Sequence, residues 1–222
     1  MHRQAALMPG PPSQQSEDEA GLAWVEGVSL LGIRVTAVAT IEASEHDRRM
    51  AADCGAVADP ALLDLLLRLP IGMPVPDAVA WAETADQPAG VIERDVDGVS
   101  VTRRLAVPLA IEGVIVVASA GRELRAVQDV SLFARFARRW VMTTGHRIPD
   151  PVVLEAKLCG IGIMDPAGEV LASEAPMTGE VDSWDWMLRE QVYRKWLSQP
   201  SPDRATATPA QATGEASATP AS

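Results

Sequence analysis

Between residues 91 and 118 the chain carries two dipeptides that turn a backbone sharply, Asp97-Gly98 and Glu112-Gly113, each flanked by short β-branched runs. Acidic-residue-plus-glycine pairs of this kind close two-residue hairpins, because both turn positions need a positive φ. Four strands are therefore expected, over 91–93, 99–102, 104–109 and 114–118, paired antiparallel, with the apolar 114–118 run central. A chain so arranged needs a β-sheet with helices to cover it.

The rest of the sequence supplies both. Residues 28–31 and 35–41 are apolar and β-branched and meet at Gly32, a further pair of strands. Residues 42–49 are polar and read as a loop, with 50–54 returning as a short strand. Asp59 before Pro60 places a capping carboxylate ahead of a first-turn proline, so a helix is expected over 61–69, stopped by Pro70. Residues 70–90 hold Pro70, Pro74, Pro76 and Pro88, which forbid a central strand, around a short helical patch at 77–82. From 129 to 143 the apolar residues Val130, Phe133, Ala134, Ala137, Trp140 and Val141 keep helical spacing, with Arg135, Arg138 and Arg139 on the other side and Gly145 as the stop. Then come one or two helical turns at 152–158, a hairpin of 161–164 with 169–172, and a final helix over 182–197. That helix is capped by Asp182 or Ser183 and carries the i,i+4 pairs Asp185/Arg189 and Glu190/Arg194.

Composition limits what such a fold can do. The chain has 222 residues and a net charge of −11, which argues against the nucleic-acid phosphate backbone as main partner. The basic helix face at Arg135, Arg138, Arg139 and nearby Arg147 reads as solvated. No apolar run reaches the roughly 18 residues of a membrane span, and no secretory leader is visible, so a soluble cytoplasmic protein without a membrane partner is expected. Two cysteines, Cys54 and Cys159, cannot build a disulfide framework. Arginine far outnumbers lysine, asparagine is absent and alanine abundant, the coding bias of a GC-rich bacterial genome. Residues 1–19 and 199–222 lack large apolar side chains enough to repay ordering. They are expected to be disordered tails around a domain at 20–147 and a hairpin-plus-helix module at 148–198.

Catalytic signatures fail one by one. Ser119 lies in Val-Ala-Ser-Ala-Gly, which lacks the first glycine of a nucleophile elbow. Gly160-Ile-Gly162 lacks the third glycine of a dinucleotide fingerprint. His46 and Cys54 are too few to close a metal site, and His2 and His146 stand elsewhere. No enzyme activity, metal or cofactor is expected.

The order of elements, two strands, a helix, a proline-punctuated crossing, a hairpin-rich block and an amphipathic helix, resembles a GAF domain over residues 20–145. The closest likeness is the run from Arg104 through Val107-Pro108-Leu109 and the Gly113 turn to Ala137, with Leu69-Pro70-Ile71 and Pro76-Asp77-Ala78-Val79 similar to the proline-rich crossing of such domains. The resemblance implies an α/β fold with an antiparallel sheet flanked by helices. It implies a non-catalytic sensor or regulatory role in bacterial signalling or transcription control, binding a small molecule or a protein partner. The Asn-Lys-Phe-Asp pattern of cyclic-nucleotide-binding members is missing. On this reading Trp81, Val79 and Ile92 would line a ligand pocket. Trp184, Trp186, Tyr193 and Trp196, crowded on the last helix, would meet a partner or a second copy; the alternative is a scaffold that assembles through that helix.

Overall fold

A two-residue turn at Leu31 (φ 51°) and Gly32 (φ 78°) joins β1 (Leu22–Leu30) to β2 (Ile33–Ile41), the double positive φ that matches the twist of an antiparallel hairpin. The computed structural model describes residues 22–76, 90–94, 100–144, 148–165, 170–172 and 182–200. The proposed tail at 1–19, all of the proposed 199–222 tail after residue 200, the Asp97-Gly98 turn, the patch at 77–82, Gly145 and Arg147 lie outside them.

The α/β class is as expected. After the first hairpin come α1 (Ala43–Ala51), α2 (Pro60–Arg68), three short strands β3 (Pro74–Pro76), β4 (Ile92–Arg94) and β5 (Ser100–Arg103), and the long β6 (Leu109–Ala118). α3 (Glu123–Ser131), β7 (Arg138–Thr143), α4 (Asp150–Leu158), β8 (Gly162–Met164), β9 (Val170–Ala172) and α5 (Ser183–Leu197) complete the order. One six-stranded sheet runs β1-β2-β6-β7-β8-β9, and a small sheet runs β3-β5-β4.

Several expectations are corrected. Glu112-Gly113 is not a turn: β6 continues through it, and the extra residue becomes an irregularity opposite Val38 and Ala39 of β2. A glycine inside a strand often marks such a bulge. Second, the 129–143 helix ends early. Helix α3 closes at Ser131, residues 132–137 turn, and 138–143 form a strand paired parallel to both β6 and β8. The apolar spacing satisfies a helical period, but Trp140, Val141 and Met142 complete a ladder between two strands, and that pairing prevails. Third, the sheet is mixed: β1, β2 and β6 are antiparallel, β6, β7 and β8 parallel, β8 and β9 antiparallel. Parallel neighbours need crossovers, which α3 and α4 provide.

Where a loop over 42–49 and a strand over 50–54 were expected, residues 43–51 are helix with Glu42 at the N-cap position. Hydrophobic periodicity misses α1 because its buried positions are Glu45 and Arg49.

Alternation along the strands sorts the sheet into two faces. On one, Val25, Val28, Leu30, Val35, Ala37, Ala39, Leu109, Val114 and Val116 meet Val127 and Val130 of α3, Ala156 of α4 and Leu188, Val192 and Tyr193 of α5. On the other, Val38, Ile115, Trp140 and Met164 cluster with Leu22, Trp24 and Met142 and, among the described residues, with no helical one. Segment 148–198, expected as a separate module, thus adds two strands to the main sheet and two helices, α4 and α5, to its core. Gly162 is required there: a Cβ would stand 2.3 Å from the Trp140 ring.

Candidate functional site

The most chemically loaded place in the fold is the contact of α1 with α5. α1 carries Glu45, Arg48 and Arg49, three and four residues apart, so one carboxylate faces two guanidinium groups on a single helix face. α5 follows Asp182, the one of the two expected caps that is used: its side chain accepts from the Asp185 N–H as the N-cap. This sets Glu190 two turns further on, facing Arg49. The expected Asp185–Arg189 pair forms at 2.7 Å. Glu190 instead turns inward, away from Arg194.

Arg49 and Glu190 are both 0% exposed. Arg49 donates from Nη1 and Nη2 to the two Glu190 oxygens at 2.8 and 2.7 Å. Its Nε donates to Glu45 Oε1 at 2.7 Å, and the remaining N–H groups reach the Gly55 and Ala106 carbonyls at 3.4 and 2.7 Å. All five guanidinium donors are therefore used. Glu190 also accepts from Trp186 Nε1 at 3.0 Å and from the Val57 N–H at 2.9 Å. Glu45 accepts from Arg48 Nε and Nη2 at 2.7 and 2.8 Å and from the Ala106 N–H at 3.1 Å. Arg48 finishes the circuit at the Gly90 carbonyl, 2.8 Å away. Two arginines and two glutamates sum to zero charge, which is what allows such a group to be taken out of water.

The protonation states follow. Burial by itself pushes the Glu45 carboxyl up, but hydrogen bonds from Arg48, Arg49 and Ala106 outweigh it and hold it below its ordinary value. Burial also works against the Arg49 charge, and Glu190 and Glu45 overcome it, so the guanidinium holds its proton more tightly than usual. Burial pushes the Cys54 thiol up despite Arg49 and Arg48 nearby, the reverse of what a reactive thiolate needs. Its Sγ lies 3.7 Å from the Gly55 carbonyl oxygen, not against His46.

Tyr193 closes the cluster on its outer side. Its hydroxyl is 2.9 Å from His46 Nδ1, its ring lies 5.1 Å from the Arg49 guanidinium, and it stacks on Trp196 at 5.8 Å. Burial raises the Tyr193 pKa, so the neutral hydroxyl can donate to the imidazole.

Of the four residues expected at an interface, Trp186 and Tyr193 are fully buried within the chain, and Trp196 is half-buried beside His46 and Tyr193. Trp184 alone stands out, 55% exposed. Of the expected pocket residues, Trp81 and Val79 lie outside the described residues; Ile92 is half-buried against the cluster of Leu69 and Val101 in the small sheet. The basic face is dissolved with its helix. Arg135 pairs with Asp182, and Arg139 is buried, with Nη2 donating to the Gly160 carbonyl at 3.3 Å. The Glu45–Arg49–Glu190 cluster is what sequence reasoning missed; the one available signal was Glu45/Arg49 at i,i+4.

Two open grooves, of about 670 and 630 Å³, lie at the other end of α5, where Lys195 approaches the Gly27 bulge of β1. Among the described residues no helix is long and apolar enough to cross a membrane. Set against models of known protein families, curated proteins and solved structures, the chain finds no match.

Proposed function

We propose that this protein is a non-catalytic regulatory module that works by binding a partner, in the manner of a GAF-like sensor of bacterial signalling or transcription control, which its sequence resembles. The observation that carries the reading is the saturation of the α1–α5 cluster. Every donor of Arg49 and both oxygens of Glu45 and Glu190 are engaged inside the chain. A general acid or base needs a lone pair or proton within reach of a substrate, and these groups fasten helix to helix instead. The parallel run β6–β7–β8 departs from the antiparallel sheet that the resemblance led one to expect. The Gly113 turn and the 129–143 helix on which it also rested are a strand interior and a helix, turn and strand, so the resemblance supports a role by its first elements only, two strands followed by a helix.

The alternative, a scaffold assembling through α5, rests on exposed Trp184. Light scattering on wild type and Trp184→Ala, with a thermal-shift screen of metabolites, separates the two. Unchanged assembly with a stabilising metabolite favours the sensor; loss of assembly in the variant favours the scaffold. Substrate turnover abolished by Glu45→Gln in a folded protein would overturn the non-catalytic reading.

A further inference from the structure

We propose that the free edge of β1 is a docking strand for an acidic, extended peptide of a partner protein; this rests on the binding reading above and names the partner's chemistry.

β1 ends the six-stranded sheet, with β2 on one side and no described strand on the other. The turn at Leu31-Gly32 sets what this edge offers. In a two-residue hairpin the flanking pair, Leu30 and Ile33, exchanges both backbone hydrogen bonds, so by the alternation of an antiparallel ladder Ser29 directs its N–H and C=O away from β2. A long edge strand with such groups exposed is a template for strand addition. The irregularity between Val25 and Val28 divides the edge and confines an added strand to the Val28–Leu30 end.

The two grooves lie along this end. One lies among Gly27, Val28, Ser29, Arg194, Lys195 and Ser198, and the other opens among Gly27, Arg34, Thr36, Ile115, Val117 and Lys195. They share Gly27 and Lys195, so the strand edge has space on both sides for the alternating side chains of an added strand. Val117, 55% exposed, gives one side an apolar floor.

The charge of the walls selects the peptide. Arg34, Arg194 and Lys195 are exposed and make no ion pair or side-chain hydrogen bond among the described residues, though the chain as a whole carries −11. Among the described residues, Glu26 is the one carboxylate on the groove walls. Three exposed cations without an ion pair among the described residues, beside outward backbone groups, match a strand with Asp or Glu at alternate positions and β-branched residues between. That complementarity also discriminates against neutral or basic strands.

The test is to pan a random peptide library displayed on phage against the full chain, then measure the enriched peptides by calorimetry. Acidic sequences alternating with β-branched residues are expected. Their affinity should fall at least tenfold in the doubly exchanged variant Arg194→Glu with Lys195→Glu, and also with rising salt. Ser29→Pro, tolerated at an edge where the lost N–H faces solvent, should weaken them comparably while the circular dichroism spectrum stays unchanged. Enrichment of non-acidic sequences, or none, overturns the proposal, as does affinity indifferent to either variant. Displacement of the peptide by inorganic phosphate at equal concentration would reveal a small-anion site instead. A concentration-dependent dimer lost in Ser29→Pro would reveal a second copy as the occupant. The Trp184 and metabolite assays do not touch β1, so failure here leaves the general binding reading standing, and the converse also holds.

Discussion

Replacing Glu190 with glutamine tests the fastening role of the α1–α5 cluster most directly. The carboxylate accepts from Arg49 Nη2 and Trp186 Nε1 on one oxygen and from Arg49 Nη1 and the Val57 N–H on the other. An amide must place its NH2 against one of these donor pairs whichever way it turns, and Arg49 keeps only Glu45 as counter-charge. Removing one partner of a buried ion pair costs about 3–5 kcal/mol. Against a total stability of about 5–15 kcal/mol that is a large share. For a chain of this size it corresponds to a fall in Tm of roughly 6–20 °C. Urea and thermal unfolding followed by circular dichroism measure it. A double-mutant cycle with Arg49→Met should give a coupling above about 1 kcal/mol, since each single variant strands the other's charge. A loss below about 1 kcal/mol, the range of solvent-screened surface pairs, or additivity in the cycle, would refute the argument.

Further outcomes follow from individual residues. Glu45 has a folded pKa below its ordinary 4.5, so its contribution is complete above that value and is lost as pH falls through the folded one. Urea midpoints measured from about pH 6 down to about pH 3 should drop more steeply for wild type than for Glu45→Gln. Asp185 has the opposite sign: burial raises its pKa from 3.8 against the pull of Arg189, so its charge opposes folding above that value and acid relieves the cost. Asp185→Asn should therefore steepen the acid loss, and an unchanged slope would count against the assignment. Gly162→Ala drives a methyl into the Trp140 ring, less than 3 Å away, and should cost about 1–3 kcal/mol with a shift in tryptophan emission. Among the described residues the buried Thr143 hydroxyl has no hydrogen-bond partner; Thr143→Val should leave stability unchanged or raise it by up to about 1 kcal/mol, and a clear loss would reveal a partner.

Where chemistry is local, residues announce their own structure. Asp59 before Pro60 caps α2 through its carboxylate, and Asp182 caps α5 three residues ahead of the N–H it serves. The Leu31-Gly32 turn, the 152–158 turns and the β8–β9 pair are legible for the same reason: each depends on neighbours a few residues apart. α1 and β7 are not. α1 buries Glu45 and Arg49, and a charged buried face has no hydrophobic period to read. Residues 138–143 fit a helical spacing in isolation and become a strand only because β6 and β8 stand on either side of them.

The candidate site divides along the same line. That Glu45 and Arg49 could pair was visible at i,i+4. That they would be sealed from water by Glu190, 141 residues from Arg49, was not, because Glu190 had an equally good partner one turn away in Arg194. The sequence by itself determined the α/β class, the helix caps and the acidic, cysteine-poor character of the chain, all set by composition and contacts within a few residues. The mixed order of the sheet, the inward turn of Glu190 and the position of β1 at the sheet edge among the described strands came from the three-dimensional packing. Each of these is a choice between locally equivalent alternatives, made by burial and by pairing with distant strands.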